Sequence, residues 1–344
     1  MTSPRRLVVD LASPRVAWRA PETVLGALRD ALTSEWELLP VAAPAASDGD
    51  GGSGSPESVT AARGAEIYLG YGVPAGVVAA GKGTLRWAHS GTAGIGASLA
   101  SLRGSGIVLT NSAGIHAEPI ADWVIAAIGY FARGLDCIRD AQAAGHWAKT
   151  KFTDLLIPVR EFRDVRVGIV GLGGIGSAVA RRALALQMPV AGVRRRPERG
   201  GPPGTRWVGP LDQLPRLAGE SDCLVITAPH TNETAGAVSR SVLQRLPAGA
   251  VVVNVSRGSL LDEPAALDLL SVGRLRGLAL DVFATEPLPL GHPFWTHPRV
   301  LVSPHVSAVT SRFWERELAL ILENLRRYLA GAPLLNTVDL EAGY

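Results

Sequence analysis

The 344-residue sequence contains only two cysteines, Cys137 and Cys223. Two isolated thiols exclude a disulfide framework and a cysteine-rich zinc site, and they suit a reducing compartment. No apolar run approaches the roughly 20 residues that a membrane span needs. The N-terminal MTSPRRLVVD has two arginines, but the apolar run behind them is too short for a secretory signal. These absences predict a cytoplasmic protein that does not engage a membrane. Charge is scarce as well, at 19% of residues with a net charge of +3. Its one basic run is Arg194-Arg195-Arg196. Without a basic stripe, no nucleic-acid surface is expected. HExxH, paired CxxC and carboxylate clusters are missing, so no metal site is expected either. What is abundant is apolar: 47% of residues, in a chain whose length predicts two domains.

The first hundred residues alternate short strands and helices. Strands are expected at 7–11, 66–70, 85–89 and 106–110, and a helix at 21–32, where a proline opens an apolar periodic run. AAPAASDGDGGSGSPES (42–58) reads as a flexible, low-complexity loop. Residues 118–145 are long, apolar-periodic and end in glycine, which predicts one long helix. From 165 onward, uninterrupted apolar strands alternate with helices: VRVGIV, PVAGV, CLVITA, AVVVNV, LALDV and VLVS. Runs of this kind suit a parallel sheet buried on both faces, and the alternation implies a doubly wound α/β fold. A last helix is expected at 314–331, returning to the first domain.

The strand VRVGIV runs into Gly171-Leu-Gly173-Gly174-Ile175-Gly176 and then into a helix, followed by a second strand. Each glycine has a physical task in a dinucleotide site. Gly171 permits the tight turn, Gly173 lets a pyrophosphate approach, and Gly176 lets the helix pack on the strand. The helix N-terminus then offers free N–H groups to phosphate. A GxGxxG alone is a weak signal; this strand–turn–helix context strengthens it. At the end of the second strand an NAD site carries an acid that bonds the ribose 2′-hydroxyl. Here Arg194 stands 18 residues after Gly176 (194 − 176), with Arg195 beside it. Arginine cannot accept a hydrogen bond, but it can fork onto a 2′-phosphate. NADP is therefore the preferred cofactor and NAD the alternative. The plainer reading of the arginines is a solvated basic loop.

Three further polar residues sit just past predicted strands, on the side where doubly wound sheets bind ligands: Arg257, Glu286 and His305. Taken singly they read equally as a surface ion pair, a loop carboxylate before proline and a histidine at a strand end. Together with the glycine turn, the segments VVVNVSRGSLLDEP (251–264), LRGLALDVFATEPLP (275–289) and VLVSPHVSAVT (300–310) resemble the D-isomer-specific 2-hydroxyacid dehydrogenases. NSAGIHAEPIADWV (111–124) resembles that family's entry into its interdomain helix. The resemblance covers nearly the whole chain and is weakest over residues 1–65.

The resemblance implies an α/β fold of two Rossmann-like doubly wound domains with the active site in the cleft. One is a flavodoxin-like substrate domain, residues 1–115 with 312–344. The other is a dinucleotide-binding domain, residues 116–311. It implies hydride transfer between a nicotinamide cofactor and a small 2-oxo acid or D-2-hydroxy acid. Reduction puts negative charge on the carbonyl oxygen, so an acid must deliver a proton there. Histidine, with an unperturbed pKa near ~6.5, suits that task. His305 is the implied proton donor, Glu286 the residue that orients it, and Arg257 the fork on substrate carboxylate and carbonyl. The backbone of Thr92, Ala93, Gly94 and Ile95 is implied to hold the carboxylate.

Further implied cofactor contacts are Thr227, Ala228 and Pro229 on the adenosine side and Thr234 near the ribose or phosphates. Val255 and Ser256 are implied to line the nicotinamide, and Asp281 to bond its carboxamide, with a capping role for Asp281 as the alternative. Ser307 and Ala308 replace the glycines common after the family histidine. His116 is expected to pack or cap rather than touch substrate. A homodimer is implied, with Trp147 in an interface or a core. The leading function is an NADPH-preferring reductase of the glyoxylate and hydroxypyruvate type. The alternatives are a short, NAD-linked 3-phosphoglycerate dehydrogenase and, in another class, a nucleotide-sensing, corepressor-like interaction protein.

Overall fold

A computed structural model describes residues 4–43 and 54–341. The chain folds as two compact units, Met1–His116 with Val309–Tyr344, and Ala117–Ala308. Each unit is built on one parallel sheet.

In the first unit, strands β1 (Arg5–Asp10), β2 (Trp36–Pro40), β3 (Ile67–Gly70), β4 (Trp87–Ser90) and β5 (Val108–Asn111) lie in the order β2-β1-β3-β4-β5. This is the flavodoxin-like order. Side chains alternate between two cores. Val8, Tyr68, Ala88 and Leu109 face one side. Leu7, Val9, Ile67, Leu69 and Trp87 face the other, where the C-terminal helix Phe313–Leu329 adds Ile321 and Leu325. That alternation is the period of two that a strand imposes, here with apolar residues on both faces.

In the second unit, β6 (Val167–Val170), β7 (Val190–Val193), β8 (Val208–Gly209), β9 (Cys223–Ile226), β10 (Ala250–Asn254), β11 (Leu275–Leu280) and β12 (Val300–Val302) form a seven-stranded sheet. Its order is β12-β11-β10-β9-β6-β7-β8. The direction of winding reverses between β6 and β9, and ligands of such sheets bind outside the carboxyl ends of the strands at that point. Cys223 and Val225 of β9 enter one core, Leu224 and Ile226 the other.

Three expectations change. The long helix is two: Ala117–Ala132 and Leu135–Ala143. Between them Gly134 turns left-handed at φ 66°, and a Cβ there would press on Phe152 and Ile157. Apolar periodicity continues through such a break, because only the backbone changes. The low-complexity loop ends early, since Pro56 opens a helix, Pro56–Ala61, capped by the Ser55 hydroxyl on the Ser58 amide. Residues 44–53 of that loop lie outside the described residues, but its base is closed by Glu57, which accepts from the amides of Ala42 and Ala43. Finally, β2 and β8 were not expected; both are edge strands, short or ending in proline.

Candidate active site

The dinucleotide turn has the form its glycines require. Gly171 adopts φ 99°, and a Cβ on it would lie 2.6 Å from the backbone of Ala228. A Cβ on Gly176 would collide with the Gly171 carbonyl oxygen. A Cβ on Gly173 would meet nothing within 4 Å, so space is open where a pyrophosphate would approach. The helix Gly174–Ala185, with Gly173 as N-cap, has no side chain capping its N-terminus. Open space and free N–H groups fit a dinucleotide phosphate. Thr227 holds the turn in place: its Oγ1 donates to the Gly171 carbonyl at 2.6 Å, and its amide donates to the Val170 carbonyl at 2.9 Å. Thr234 donates to the Pro229 carbonyl at 2.6 Å and accepts from the Thr231 amide at 2.8 Å, so its hydroxyl builds the loop after β9. Pro229 is exposed on that loop.

Arg194 follows β7 directly. Its Nη1 donates to the Gly200 carbonyl at 2.8 Å, and its other guanidinium nitrogens have no partner among the described residues. Arg195 is exposed and lies 3.9 Å from Glu233.

Past the ends of β10, β11 and β12, three loops are tied together. Asn254, fully buried, accepts from the amide and hydroxyl of Ser256 and donates to the carbonyl of Arg257 at 3.0 Å. Val255, beside it, is buried. Arg257 itself is exposed, and its Nη1 donates to the Ser256 carbonyl at 2.6 Å. Next to it, a Cβ on Gly258 would overlap the backbone of Phe283 and Ala284, so only glycine lets the two loops meet. Glu263 accepts from the Ala284 amide at 2.7 Å, and burial pushes its carboxyl above the ordinary value. Glu286 accepts from the Phe283 amide at 2.9 Å through one oxygen and pairs with His305 Nδ1 at 2.8 Å through the other. His305 is half-exposed, and its Nε2 has no partner among the described residues.

His305 adopts φ 57°, a left-handed conformation uncommon outside glycine. Its neighbours hold it there. Asp281, almost fully buried, accepts four hydrogen bonds: from Ser303 Oγ at 2.6 Å, the Val306 amide at 2.9 Å, the Ser307 amide at 3.1 Å and Ser307 Oγ at 2.5 Å. Two oxygens have about four acceptor positions, and all are filled. Asp281 therefore clamps the histidine turn, the capping role named as the alternative to the carboxamide contact. Ser307 is likewise engaged inward. Ala308 is half-buried against the second unit's core.

The Thr92–Ile95 loop belongs to the first unit. Thr92 Oγ1 donates to the Gly94 carbonyl at 2.7 Å, and Asn111 Nδ2 donates to the Ala93 carbonyl at 3.0 Å. With the carbonyls so held, the amides of Ala93, Gly94 and Ile95 have no acceptor among the described residues. His116 packs in an aromatic group, stacked on Phe313 at 5.5 Å, and burial pushes its pKa down. Trp147 is 87% exposed in the isolated chain. Asn254, Gly258 and Glu263 support the site and were not singled out in the sequence. An asparagine ending a strand and a glycine after Arg257 were their only visible signals. Among the described residues no group of His, Cys, Asp or Glu side chains is placed to hold a metal, and no helix is long and apolar enough to cross a membrane.

Comparison with known proteins bears on the same segments. Residues 125–307 match the model of the D-isomer specific 2-hydroxyacid dehydrogenase NAD-binding domain. A glyoxylate/hydroxypyruvate reductase A from Yersinia enterocolitica is 29% identical over 256 residues, 74% of this chain and 75% of that protein. A D-isomer specific 2-hydroxyacid dehydrogenase from Xanthobacter autotrophicus, solved with NADPH and MES, superposes with a TM-score of 0.77 at 28% identity, covering all of both chains. An NADPH-dependent glyoxylate/hydroxypyruvate reductase from Sinorhizobium meliloti, solved with NADP and sulfate, gives 0.76 at 26% identity over 99% of this chain and all of that one. With more than half its length in the family's cofactor-binding domain and the glycine turn formed as described, this chain belongs to the D-isomer specific 2-hydroxyacid dehydrogenases.

Proposed function

We propose that the protein is an NADPH-preferring reductase of small 2-oxo acids of the glyoxylate and hydroxypyruvate kind. The observation that carries this reading is half-exposed His305, held at Nδ1 by Glu286 and unpartnered at Nε2. The cofactor, when bound, supplies the hydride. His305 Nε2 gives the proton to the oxygen that gains charge as the carbonyl is reduced. Glu286 fixes the ring's orientation and leaves Nε2 as the reacting nitrogen. Asp281 keeps the turn in its unusual conformation, so the proton arrives from a fixed position. Arg257 takes the substrate carboxylate and polarises the carbonyl with its planar fork. The three free amides of Ala93, Gly94 and Ile95 are suited to a carboxylate.

For the cofactor, Gly171, Gly173, Gly174, Ile175 and Gly176 cradle the pyrophosphate. Arg194 takes the 2′-phosphate with the guanidinium nitrogens that Gly200 leaves free. NADPH in the Xanthobacter structure and NADP in the Sinorhizobium one support that preference. We also read the protein as a cytoplasmic homodimer. Leu135, Ile138, Trp147, Leu155 and Leu156 are exposed within one stretch of the second unit, which suits a face covered by a second copy. Two free thiols suit a reducing compartment.

The test is oxidation of NADPH and NADH, side by side, with glyoxylate, hydroxypyruvate, pyruvate, phenylpyruvate and phosphohydroxypyruvate. Faster turnover with NADPH on the small acids is expected. Arg194→Ala should lower the NADPH preference about tenfold, the worth of one charge-assisted bond. No turnover with any of the acids would sink the reading. Preference for phosphohydroxypyruvate and NADH would move it to a phosphoglycerate dehydrogenase.

A further inference from the structure

His89, on β4, has no part in the reaction outlined above, yet both its ring nitrogens are engaged and it is fully buried. Nδ1 lies 2.8 Å from Thr110 Oγ1, and Nε2 lies 3.0 Å from Oε1 of Glu317, itself fully buried on the C-terminal helix. A carboxylate only accepts, so in a neutral ring Nε2 carries the proton. Trp87 Nε1 can only donate, and it donates to Thr110 Oγ1 at 2.8 Å. Thr110 has one hydroxyl proton, and His89 Nδ1 is the acceptor beside it. Nδ1 is then bare, and Nε2–H donates to Glu317.

Ser112 is the branch point. Its Oγ lies 3.0 Å from the same Glu317 oxygen and 2.9 Å from the Ser90 carbonyl, and its amide donates to the Thr92 carbonyl at 3.2 Å. The hydroxyls of Ser90 and Thr92 are 2.9 Å apart, and Thr92 Oγ1 donates to the Gly94 carbonyl at 2.7 Å. Ser112 thus shares its one hydroxyl proton between Glu317 and the Ser90 carbonyl and through its own amide ties Glu317 to Thr92 and, beyond it, Gly94, wholly inside the first unit.

We propose that Glu317 is a positioning residue for the Thr92–Ile95 loop: through Ser112 it sets the geometry with which the loop's free amides meet the substrate carboxylate. The inference rests on the reading of that loop under the proposed function. Anchoring the helix does not by itself require a charge. An apolar side chain would pack there without the penalty of a buried carboxylate, whose second oxygen here has no partner. What an apolar residue would lack is the acceptor on which Ser112 and His89 converge.

The experiment uses the full chain, with Glu317→Leu and Ser112→Ala as the two variants beside wild type; Glu317→Gln, which keeps an acceptor oxygen, is the conservative control and should stay near wild type. Hydrogen exchange of the loop amides that have acceptors, those of Gly91, Thr92 and Ser112, is read by mass spectrometry. KM and kcat are measured for the best 2-oxo acid, together with NADPH affinity and thermal midpoint. Both variants should exchange the loop amides faster and raise KM about tenfold, a difference of ~1.4 kcal/mol, with kcat and NADPH affinity little changed. A lower midpoint with loop exchange and KM at wild-type values would mean that the network only stabilises the fold, and the proposal fails. Ser112→Ala carries the same test if the leucine variant does not fold. Should wild type turn over none of the acids, the reductase reading fails first and the carboxylate role falls with it. That outcome is told apart because it is seen in the parent protein, before any variant.

Discussion

The molecule contains the same histidine–glutamate pair twice, in opposite settings. His305 and Glu286 are 2.8 Å apart with both side chains partly exposed. His89 and Glu317 are 3.0 Å apart with neither exposed at all. In the first pair, one ring nitrogen is left without a partner, and the backbone is held in a left-handed conformation by a buried aspartate. In the second, every ring nitrogen is paired, and the backbone is ordinary strand. The difference shows that a histidine–carboxylate contact does not identify chemistry by itself. Under the proposed function, what separates an acid from a strut is the unpartnered nitrogen and its access to solvent.

The largest way to break that comparison is to remove the exposed histidine. His305→Gln should lower turnover by about 10²–10⁴, the usual worth of a positioned general acid. Cofactor affinity, measured by fluorescence titration, should hold. Turnover at the wild-type rate would return His305 to the bland reading of a strand-end residue. The pairs should also differ in stability. Glu317→Ala leaves a buried imidazole N–H without its acceptor, and a buried donor left unsatisfied costs about 1–3 kcal/mol. Glu286→Ala acts on an exposed pair, worth no more than about 1 kcal/mol. Denaturant midpoints of the two variants decide it, and equal losses would erase the distinction.

The smallest effect comes from a third ionic cluster, which calibrates the other two. Burial disfavours the Asp222 carboxylate, but Arg166 and Arg160 outweigh it and hold the pKa down at about 2. A depressed carboxyl stabilises the fold above its ordinary value near ~3.9 and loses that contribution as pH falls toward 2. Asp222→Asn should therefore flatten the acid limb of stability between roughly pH 4 and pH 2 and leave turnover at neutral pH unchanged. An unchanged acid limb would mean that the arginines do no such work.

The glycine turn and the strands of the second unit other than β8 were legible because they are uninterrupted apolar runs, and Arg257, Glu286 and His305 stood out because each follows the end of one. What holds them was not. Gly258 is needed only because Phe283 and Ala284 come against it, and no local pattern announces an approach between loops. Asp281 has the same place at a strand end whether it meets a ligand or a turn; only its four donors separate the two. The Gly134 break left the apolar stripe intact. His89 and Glu317 lie 228 residues apart in sequence, a distance over which spacing carries no information.

The chain enters the second unit at Ala117 and leaves it at Ala308, with the glycine turn, His305 and the aspartate clamp all inside those bounds. On the proposed function the chemistry is thus carried on one uninterrupted stretch, while the Thr92–Ile95 loop and Glu317 are written in the two flanking pieces. In terms of recombination, the gene could exchange its outer pieces for those of a relative and keep its hydride chemistry. Such a chimaera should retain the parent's cofactor preference while its ranking of acids follows the donor of the flanks.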